Sequence, residues 1–294
     1  MTTLNQTIVL ADGRRLGYDE YGPPDGKPLF YFHGTPSSRK DWHAMGNAGL
    51  PEKLSVRVIV ADRPGIGLSS FQPGRRIGDW AIDVEALADA LGIERFAVLG
   101  YSGGGPYALA CAQKIPQRLT GVGVAAGEGP ADQPGVYEGL NPQALQFMQM
   151  AREKPWQFRL MWGMVCAMTR YAPGLLARRG GFFTGLPEAD KVVTQEHPEL
   201  SQALFAAMIE TVRDGTRGSQ WHAALAVSPW DFPLDDISIP VHVWQGECDR
   251  NVSPAAGRYF ARTIPHCRAT LLPDEGHISL VVHSLEHMLC VLTS

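Results

Sequence analysis

Residues 96–111 read FAVLGYSGGGPYALAC, and this stretch decides the fold. A short apolar run, residues 96–99, ends abruptly in a glycine-rich turn, and small residues at helical spacing follow. This pattern predicts a strand, a sharp turn and a helix, with Ser102 at the turn. Gly100 and Gly104 stand two residues before and after the serine, where small residues let strand and helix cross closely. The sequence therefore predicts a serine hydroxyl held at the start of a helix, whose free N–H groups favour an oxyanion.

Because G-x-S-x-G is a short pattern, an incidental serine in a glycine-rich connection is the alternative interpretation of this stretch.

The rest of the chain predicts a sheet around this stretch. Two strand-like runs separated by Asp12-Gly13 predict an antiparallel hairpin, and continuous apolar runs predict strands buried on both faces, as in a parallel sheet covered by helices. We expect a mostly parallel, twisted sheet of about eight strands in an α/β fold. The predicted strands are Thr7–Leu10, Arg15–Tyr21, Leu29–Phe32, Val56–Ala61, Phe96–Leu99, Leu119–Ala125, Val241–Gln245 and Ala269–Leu272.

The alternation of strands and helices stops after the strand that ends at Ala125. From there the sequence shows helical periodicity without clear strands, and the strand pattern returns at Val241. The sequence therefore predicts a core made of residues 1–129 and 233–294, with a helical cap inserted as residues 130–232. The predicted cap helices are Gln143–Arg152, Trp156–Tyr171, Glu188–Glu196 and Glu199–Arg213.

Composition and charge narrow the classes of function. The 294-residue chain has a net charge of −4 and no dense cluster of Lys and Arg, so neither nucleic acid nor a membrane surface is an expected partner. Its five cysteines are scattered, which predicts neither a disulfide framework nor a zinc site. The first residues lack the features of a signal peptide, and no apolar stretch is long enough to span a membrane. We expect a soluble cytoplasmic protein that acts on a small molecule without a metal or cofactor, in an oligomeric state that the sequence leaves open.

A serine hydroxyl becomes a good nucleophile only when a base takes its proton and a third group orients that base. His277 lies just beyond the last predicted strand, and Asp249 lies just beyond the strand before it. Loops that follow parallel strands converge at one edge of a sheet, so these residues can meet Ser102 there. The sequence therefore predicts Ser102, Asp249 and His277 as catalytic residues, with Glu128 and Asp132 as an alternative position for the acid.

The segment His33-Gly34-Thr35-Pro36 follows a strand that we expect beside the serine turn. Because Pro36 has no N–H, the donor from this loop is predicted to be the amide of Thr35, joined by the amide of Gly103 in an oxyanion hole. His33 is expected to fix the loop through its ring hydrogen bonds.

Aromatic residues and methionines are frequent between Leu145 and Tyr171 in the predicted cap. Most of them are expected to form the core of the cap. Some are expected to line an apolar pocket over Ser102, and the candidates are Trp156, Met161 and Trp162. No Arg or Lys of the cap can be identified as a clamp for a substrate carboxylate.

Five motifs together resemble the α/β-hydrolase fold, and specifically capped bacterial hydrolases with an HGTP oxyanion loop. They are HGTPSSR, ADRPGIGLSS, GYSGGGPYALACA, GECDRNVSP and LPDEGHISL. The resemblance covers residues 7–130 and 233–294, and it implies a Ser102, Asp249 and His277 triad with the oxyanion held by the Thr35 and Gly103 amides. The chain departs from proline iminopeptidases, which use HGGPG and a Trp in the serine turn. It also lacks the aspartate nucleophile of haloalkane dehalogenases and epoxide hydrolases.

These features predict a serine hydrolase, of the carboxylesterase type, that cleaves a small to medium, largely apolar ester through an acyl-enzyme. A C–C bond hydrolase or a lactonase would use the same triad. A receptor that binds a small ligand on a hydrolase scaffold, without catalysis, is the alternative from a different class.

Overall fold

The computed structural model describes residues 2–44, 47, 49–178 and 186–294. Its strands are β1 Thr3–Val9, β2 Arg15–Tyr21, β3 Lys27–Phe32, β4 Val56–Ala61, β5 Phe96–Tyr101, β6 Leu119–Ala125, β7 Val241–Gly246 and β8 Cys267–Leu272. They form one eight-stranded sheet in the order β1-β2-β4-β3-β5-β6-β7-β8. The strand β2 pairs antiparallel with β1 and β4, and all other neighbours pair parallel. The predicted eight-stranded, mostly parallel sheet is confirmed.

Helices flank the sheet and also follow β6. They are α1 Asp41–Ala44, α2 Leu50–Leu54, α3 Trp80–Ala90, α4 Gly105–Lys114, α5 Pro142–Glu153, α6 Pro155–Tyr171, α7 Pro173–Arg178, α8 Glu188–Glu196, α9 Pro198–Glu210, α10 Arg217–Ala226, α11 Pro254–Thr263 and α12 Ile278–Leu292. We call α5–α10, which lie between β6 and β7 in the chain, the helical insertion. The predicted insertion, residues 130–232, contains these helices, and its residues 179–185 lie outside the described residues. Among the residues that the structure describes, no helix is both long and apolar enough to cross a membrane.

Two helices of the insertion, α7 and α10, do not follow from the sequence pattern. The reason is clearest for α10, which has a glycine and a serine in its first turn, both poor helix formers. A Cβ atom on Gly218 would lie 1.8 Å from the carbonyl oxygen of Gly65, so this end of α10 packs directly on the backbone of the loop after β4. Contact between distant segments, and not local propensity, therefore stabilises α10.

Both faces of the inner strands β3, β4 and β5 are buried, which explains their continuous apolar runs. Neighbouring residues of one strand contribute to different cores: Phe30 and Val98 face a core closed by α3, α4 and α11, whereas Leu29 and Leu99 face one closed by α12. A strand covered on both sides has no position that favours a polar residue. The central strands β3 and β5 are therefore fixed in position, together with the loops that leave their carboxyl ends.

Candidate active site

The turn after β5 holds Ser102 in a strained backbone conformation. Its φ angle is +53°, in the left-handed region that non-glycine residues rarely adopt. The glycines around it are required for close packing, because a Cβ on Gly100 would lie 2.4 Å from the Gly104 carbonyl oxygen. A Cβ on Gly104 would lie 2.1 Å from the carbonyl oxygen of Phe32. The close crossing of strand and helix that the sequence predicts is thus present, and it leaves the serine at the start of α4.

Ser102, His277 and Asp249 form a continuous hydrogen-bonded chain. The distance from Ser102 Oγ to His277 Nε2 is 3.0 Å, and the distance from His277 Nδ1 to Asp249 Oδ2 is 2.7 Å. Because an ionised carboxylate can only accept, the imidazole proton lies on Nδ1 and the lone pair of Nε2 faces the serine. This is the geometry in which an imidazole can take a proton from a serine hydroxyl. The structure therefore brings the three predicted residues together at the carboxyl ends of β5, β7 and β8.

Asp249 is buried and firmly held. Its Oδ1 accepts hydrogen bonds from the backbone N–H groups of Asn251, at 2.8 Å, and Val252, at 2.9 Å. Gln245 Nε2 lies 3.3 Å from Oδ2, the oxygen that contacts His277. These donors leave the carboxylate one orientation, with Oδ2 directed at the imidazole.

The two alternative acids do not contact the imidazole in this way. Asp132 is exposed, and Glu128 lines the cavity beside Ser102, to whose carbonyl oxygen it donates its backbone N–H at 3.2 Å. Burial raises the pKa of Glu128 to about 6, although the positive charge of Arg63 acts in the opposite direction. The structure pairs Asp249, and neither of the alternatives, with His277.

The charges around His277 favour its protonated form. Burial by itself lowers the pKa of an imidazole, but the carboxylates of Asp249, Asp190 and Glu128 act against burial, and the net pKa is raised. Tyr101 also contacts this residue: its ring centroid is 5.0 Å from that of His277, and its hydroxyl donates to the His277 carbonyl oxygen at 3.3 Å.

Thr35 and Gly103, whose backbone amides are predicted to form the oxyanion hole, lie next to each other. A Cβ on Gly103 would be 3.1 Å from Thr35 N, so the two residues are in contact. Within the described part of the chain, Thr35 N has no hydrogen-bond acceptor. Arg63 anchors this loop, because its Nη2 donates to Gly34 O and to Thr35 Oγ1, both at 2.8 Å. The loop that carries the amide of Thr35 is therefore held in place beside Gly103.

His33 fixes the same loop, as the sequence interpretation expects. It is fully buried, its Nδ1 is 2.9 Å from the carbonyl oxygen of Gly34, and its Nε2 accepts from Arg63 N at 3.4 Å. Burial, together with the charge of Arg63, keeps the pKa of His33 well below its usual range. The neutral ring therefore has a structural role behind the loop.

Sequence reasoning missed several side chains that hold the site. Arg63 and Asp41 fix the Thr35 loop, the latter by accepting from Gly34 N at 2.9 Å. Asp190, in the helical insertion, accepts from the backbone N–H of His277 at 3.0 Å. Arg63 lies in a recognisable motif, whereas the sequence around Asp190 resembles an ordinary surface helix with an acidic first turn.

A cavity of about 330 Å³ opens beside Ser102 and His277. The helical insertion supplies much of its apolar wall, through Ala144, Leu186, Leu204, Phe205 and Met208. A second cavity, of about 180 Å³, shares lining residues with the first. The shared residues are Glu128, Ala144, Asn251 and Val252. Larger cavities of about 490 and 740 Å³ lie elsewhere, near His43 and Asn47, and do not reach the serine.

The three residues predicted to line the pocket lie elsewhere. Trp156 is 68% exposed at the surface of α6. Trp162 and Met161 pack in the cluster inside the insertion, where Trp162 Nε1 donates to the Ser219 carbonyl oxygen at 3.2 Å. The prediction that these residues line the substrate pocket is therefore wrong. The inner face of α6 packs against α5 and α10, and the residues beside Ser102 come mainly from α9 and the segment before α8.

Comparison with known proteins identifies the class. A model of the alpha/beta hydrolase family matches residues 29–288, so the chain belongs to this family, which supports a hydrolase activity. The sequence is 28% identical over 252 residues to a non-heme chloroperoxidase of Streptomyces lividans, covering 84% of this chain and 83% of that protein. It is 37% identical over 116 residues to a proline iminopeptidase of Xylella fastidiosa, covering 38% of this chain and 36% of that protein.

Two solved structures illustrate the likeness of the fold. One is a thermophilic esterase from Thermogutta terrifontis, with a TM-score of 0.69 and 23% identity, covering 99% of this chain and 100% of that one. The other is the enol-lactonase from Burkholderia xenovorans LB400, with a TM-score of 0.65 and 20% identity, covering 98% and 99%. At these identities the likeness shows the α/β-hydrolase fold alone.

Proposed function

We propose that this protein is a serine hydrolase that cleaves a small to medium, largely apolar carboxylic ester through an acyl-enzyme. The observation that carries the proposal is the chain of hydrogen bonds from Ser102 through His277 to Asp249, at 3.0 and 2.7 Å. A serine at a strained turn, an imidazole within reach of its hydroxyl and a buried carboxylate behind the imidazole are together the elements of acyl transfer.

In the proposed reaction Ser102 Oγ attacks the ester carbonyl carbon while His277 Nε2 takes the hydroxyl proton. The negative charge that develops on the carbonyl oxygen is held by the backbone N–H groups of Thr35 and Gly103. When the tetrahedral intermediate collapses, the alcohol leaves with the proton from His277, and the acyl group remains on Ser102. A water molecule then gives a proton to His277 and attacks the acyl carbon. When this second tetrahedral intermediate collapses, the acid is released and His277 returns the proton to Ser102 Oγ. Asp249 stabilises the imidazolium in both halves of the cycle.

The cavities suggest the size and charge of the substrate. Their volumes of about 330 and 180 Å³ suit an acyl and an alcohol group of short to medium length. Among the described residues that line them, none is Lys or Arg, and Glu128 contributes a carboxylate at their junction. We therefore propose an uncharged small-molecule substrate, and expect a free carboxylate near the scissile bond to be disfavoured. We further propose cytoplasmic action that requires no cofactor, nucleic acid or membrane.

The first test of the proposal is covalent labelling of the nucleophile. A fluorophosphonate should form an adduct that peptide mass spectrometry locates on Ser102, and Ser102→Ala should abolish labelling while leaving the fold intact. His277→Ala should remove most labelling and most turnover, because the residues act as a unit. If the wild-type protein forms no adduct on Ser102, the enzyme proposal fails and a ligand-binding role on the same scaffold takes its place.

The second test is a substrate panel of p-nitrophenyl esters from acetate to octanoate, with an emulsified triglyceride as the control for interfacial activity. We expect hydrolysis of the soluble esters and no activation on the emulsion. Strong activity on the emulsion with none on soluble esters would contradict the small-substrate proposal. The panel should also include a lactone, a C–C bond substrate and a proline anilide, because the same triad serves lactonases and C–C hydrolases and one partial relative is named as a proline iminopeptidase.

A further inference from the structure

The first N–H groups of α12 donate their hydrogen bonds to a side chain that is distant in sequence. The helix begins at Ile278, directly after His277, and its first N–H groups need an acceptor. A side chain at the N-cap position commonly supplies one. Here the N-cap residue is His277, whose ring is engaged by Ser102 and Asp249 and makes no cap hydrogen bond. The helix therefore depends on an acceptor from elsewhere in the chain.

That acceptor is Asp190 of α8, 87 residues earlier in the sequence. Its Oδ2 accepts from His277 N at 3.0 Å, and its Oδ1 accepts from Ile278 N and from Ser279 N, both at 2.9 Å. Asp190 is fully buried. Within the described ranges no Lys, Arg or His side chain forms an ion pair with this carboxylate, so the helix N-terminus is its main counter-charge.

The packing around Asp190 fixes the backbone on both sides of His277. A Cβ atom on Gly276 would lie 2.4 Å from Asp190 Oδ1, so only glycine fits between the carboxylate and the loop. Val193, one turn further along α8, is buried in the same apolar cluster as Ile278. The segment before α8 also reaches the substrate cavity through Leu186. One short region of the insertion therefore contacts both the cavity and the backbone of the histidine.

We propose that Asp190 is a positioning residue through which the helical insertion holds His277 in line between Ser102 and Asp249. This inference rests on the proposed function, since it assigns a role within the same reaction. Asp190 touches only the backbone of His277, so it acts on the reaction through the imidazole. Its negative charge also stabilises the imidazolium that forms when the serine is deprotonated, an effect shared with the other two carboxylates that face His277, those of Asp249 and Glu128.

The test is Asp190→Asn, with Glu188→Gln as the matched control. The asparagine keeps an oxygen for two of the three N–H groups but lacks the charge. Glu188 lies in the first turn of the same helix, and its exposed side chain pairs with exposed Lys191. Its variant therefore removes the same charge without changing the contact between Asp190 and α12. We expect Asp190→Asn to lower kcat at least tenfold with little change in KM for a p-nitrophenyl ester. We also expect the acid limb of its kcat/KM profile to move to lower pH, while the control changes neither.

The outcomes separate this inference from the proposed function. A wild-type protein that fluorophosphonate does not label on Ser102 would refute the proposed function itself. If the wild type is labelled but Asp190→Asn keeps its kcat and pH profile, the positioning role is refuted, even if the melting temperature falls. If Asp190→Asn does not fold, hydrogen exchange on the wild type decides. The amides of residues 277–279 should then be as protected as the interior of α12, and rapid exchange would overturn the inference.

Discussion

Replacing Asp249 by asparagine should reverse the polarity of the hydrogen bond that orients His277. The carboxylate has one oxygen, Oδ1, bound by the N–H groups of Asn251 and Val252 at 2.8 and 2.9 Å. In the variant the single oxygen must stay there, because an NH₂ group in that place would face two donors. The new NH₂ group then faces His277 Nδ1 across the present 2.7 Å contact.

An imidazole that accepts at Nδ1 carries its proton on Nε2, and so cannot take the proton of Ser102. The fold should tolerate the change, since the neighbouring Gln245 has an Oε1 atom without a partner in the described structure and can turn it toward the new NH₂ group. Removal of the correct tautomer in this way lowers kcat by about 10⁴ in a serine hydrolase. At about 1.4 kcal/mol for each factor of ten, this corresponds to a barrier higher by about 5 kcal/mol.

The measurement is kcat of Asp249→Asn on a soluble p-nitrophenyl ester, with the melting temperature recorded to show that the two backbone hydrogen bonds survive. Glu128→Gln is the matched comparison, because Glu128 is the alternative acid that lines the cavity and also faces the imidazole. We expect the first variant to lose nearly all turnover and the second to retain turnover of neutral esters. An Asp249→Asn variant within tenfold of the wild type, beside an inactive Glu128→Gln, would refute the assignment of the acid.

Three further predictions follow from the same geometry. Gly103→Ala should lower kcat by about 10²–10³, which is the usual cost of losing one oxyanion donor. The added Cβ would lie 2.5 Å from Thr35 Oγ1, so the two residues would have to move apart. An unchanged kcat in steady-state assays would contradict this prediction. Glu128 has a pKa of about 6, so its charge is present above that pH and lost below it. We therefore compare kcat/KM for a hemisuccinate ester with kcat/KM for a neutral ester, and expect the ratio of the two to rise as pH falls through 6. The rise should be absent in Glu128→Gln. It should persist in the control Asp132→Asn, which changes an exposed side chain. The carboxylates around His277 raise its pKa above the ordinary value of an imidazole, so the base becomes protonated, and kcat/KM is lost, at a higher pH than for a free imidazole. An acid limb at or below the pH where a free imidazole titrates would contradict this.

Much of the active-site edge of the sheet could be predicted from the sequence, because its causes are local. A strand covered on both faces must be apolar throughout, as Phe96 to Leu99 are, and a close crossing of strand and helix admits only glycine at residues 100 and 104. In a parallel sheet every strand ends at the same edge, so the order of Ser102, Asp249 and His277 after three different strands is enough to predict that they meet.

The helical insertion shows what the sequence alone could not decide. An apolar residue on an amphipathic helix faces something buried, but the sequence does not say whether that is a neighbouring helix or a cavity. Trp162 faces its own cluster and Trp156 faces outward, while Leu204 and Phe205 reach the cavity. The pairing of Asp190 with the start of α12 joins segments 87 residues apart, and no local pattern marks it. Only the tertiary structure decides such contacts, because they depend on how separately formed helices dock on the sheet.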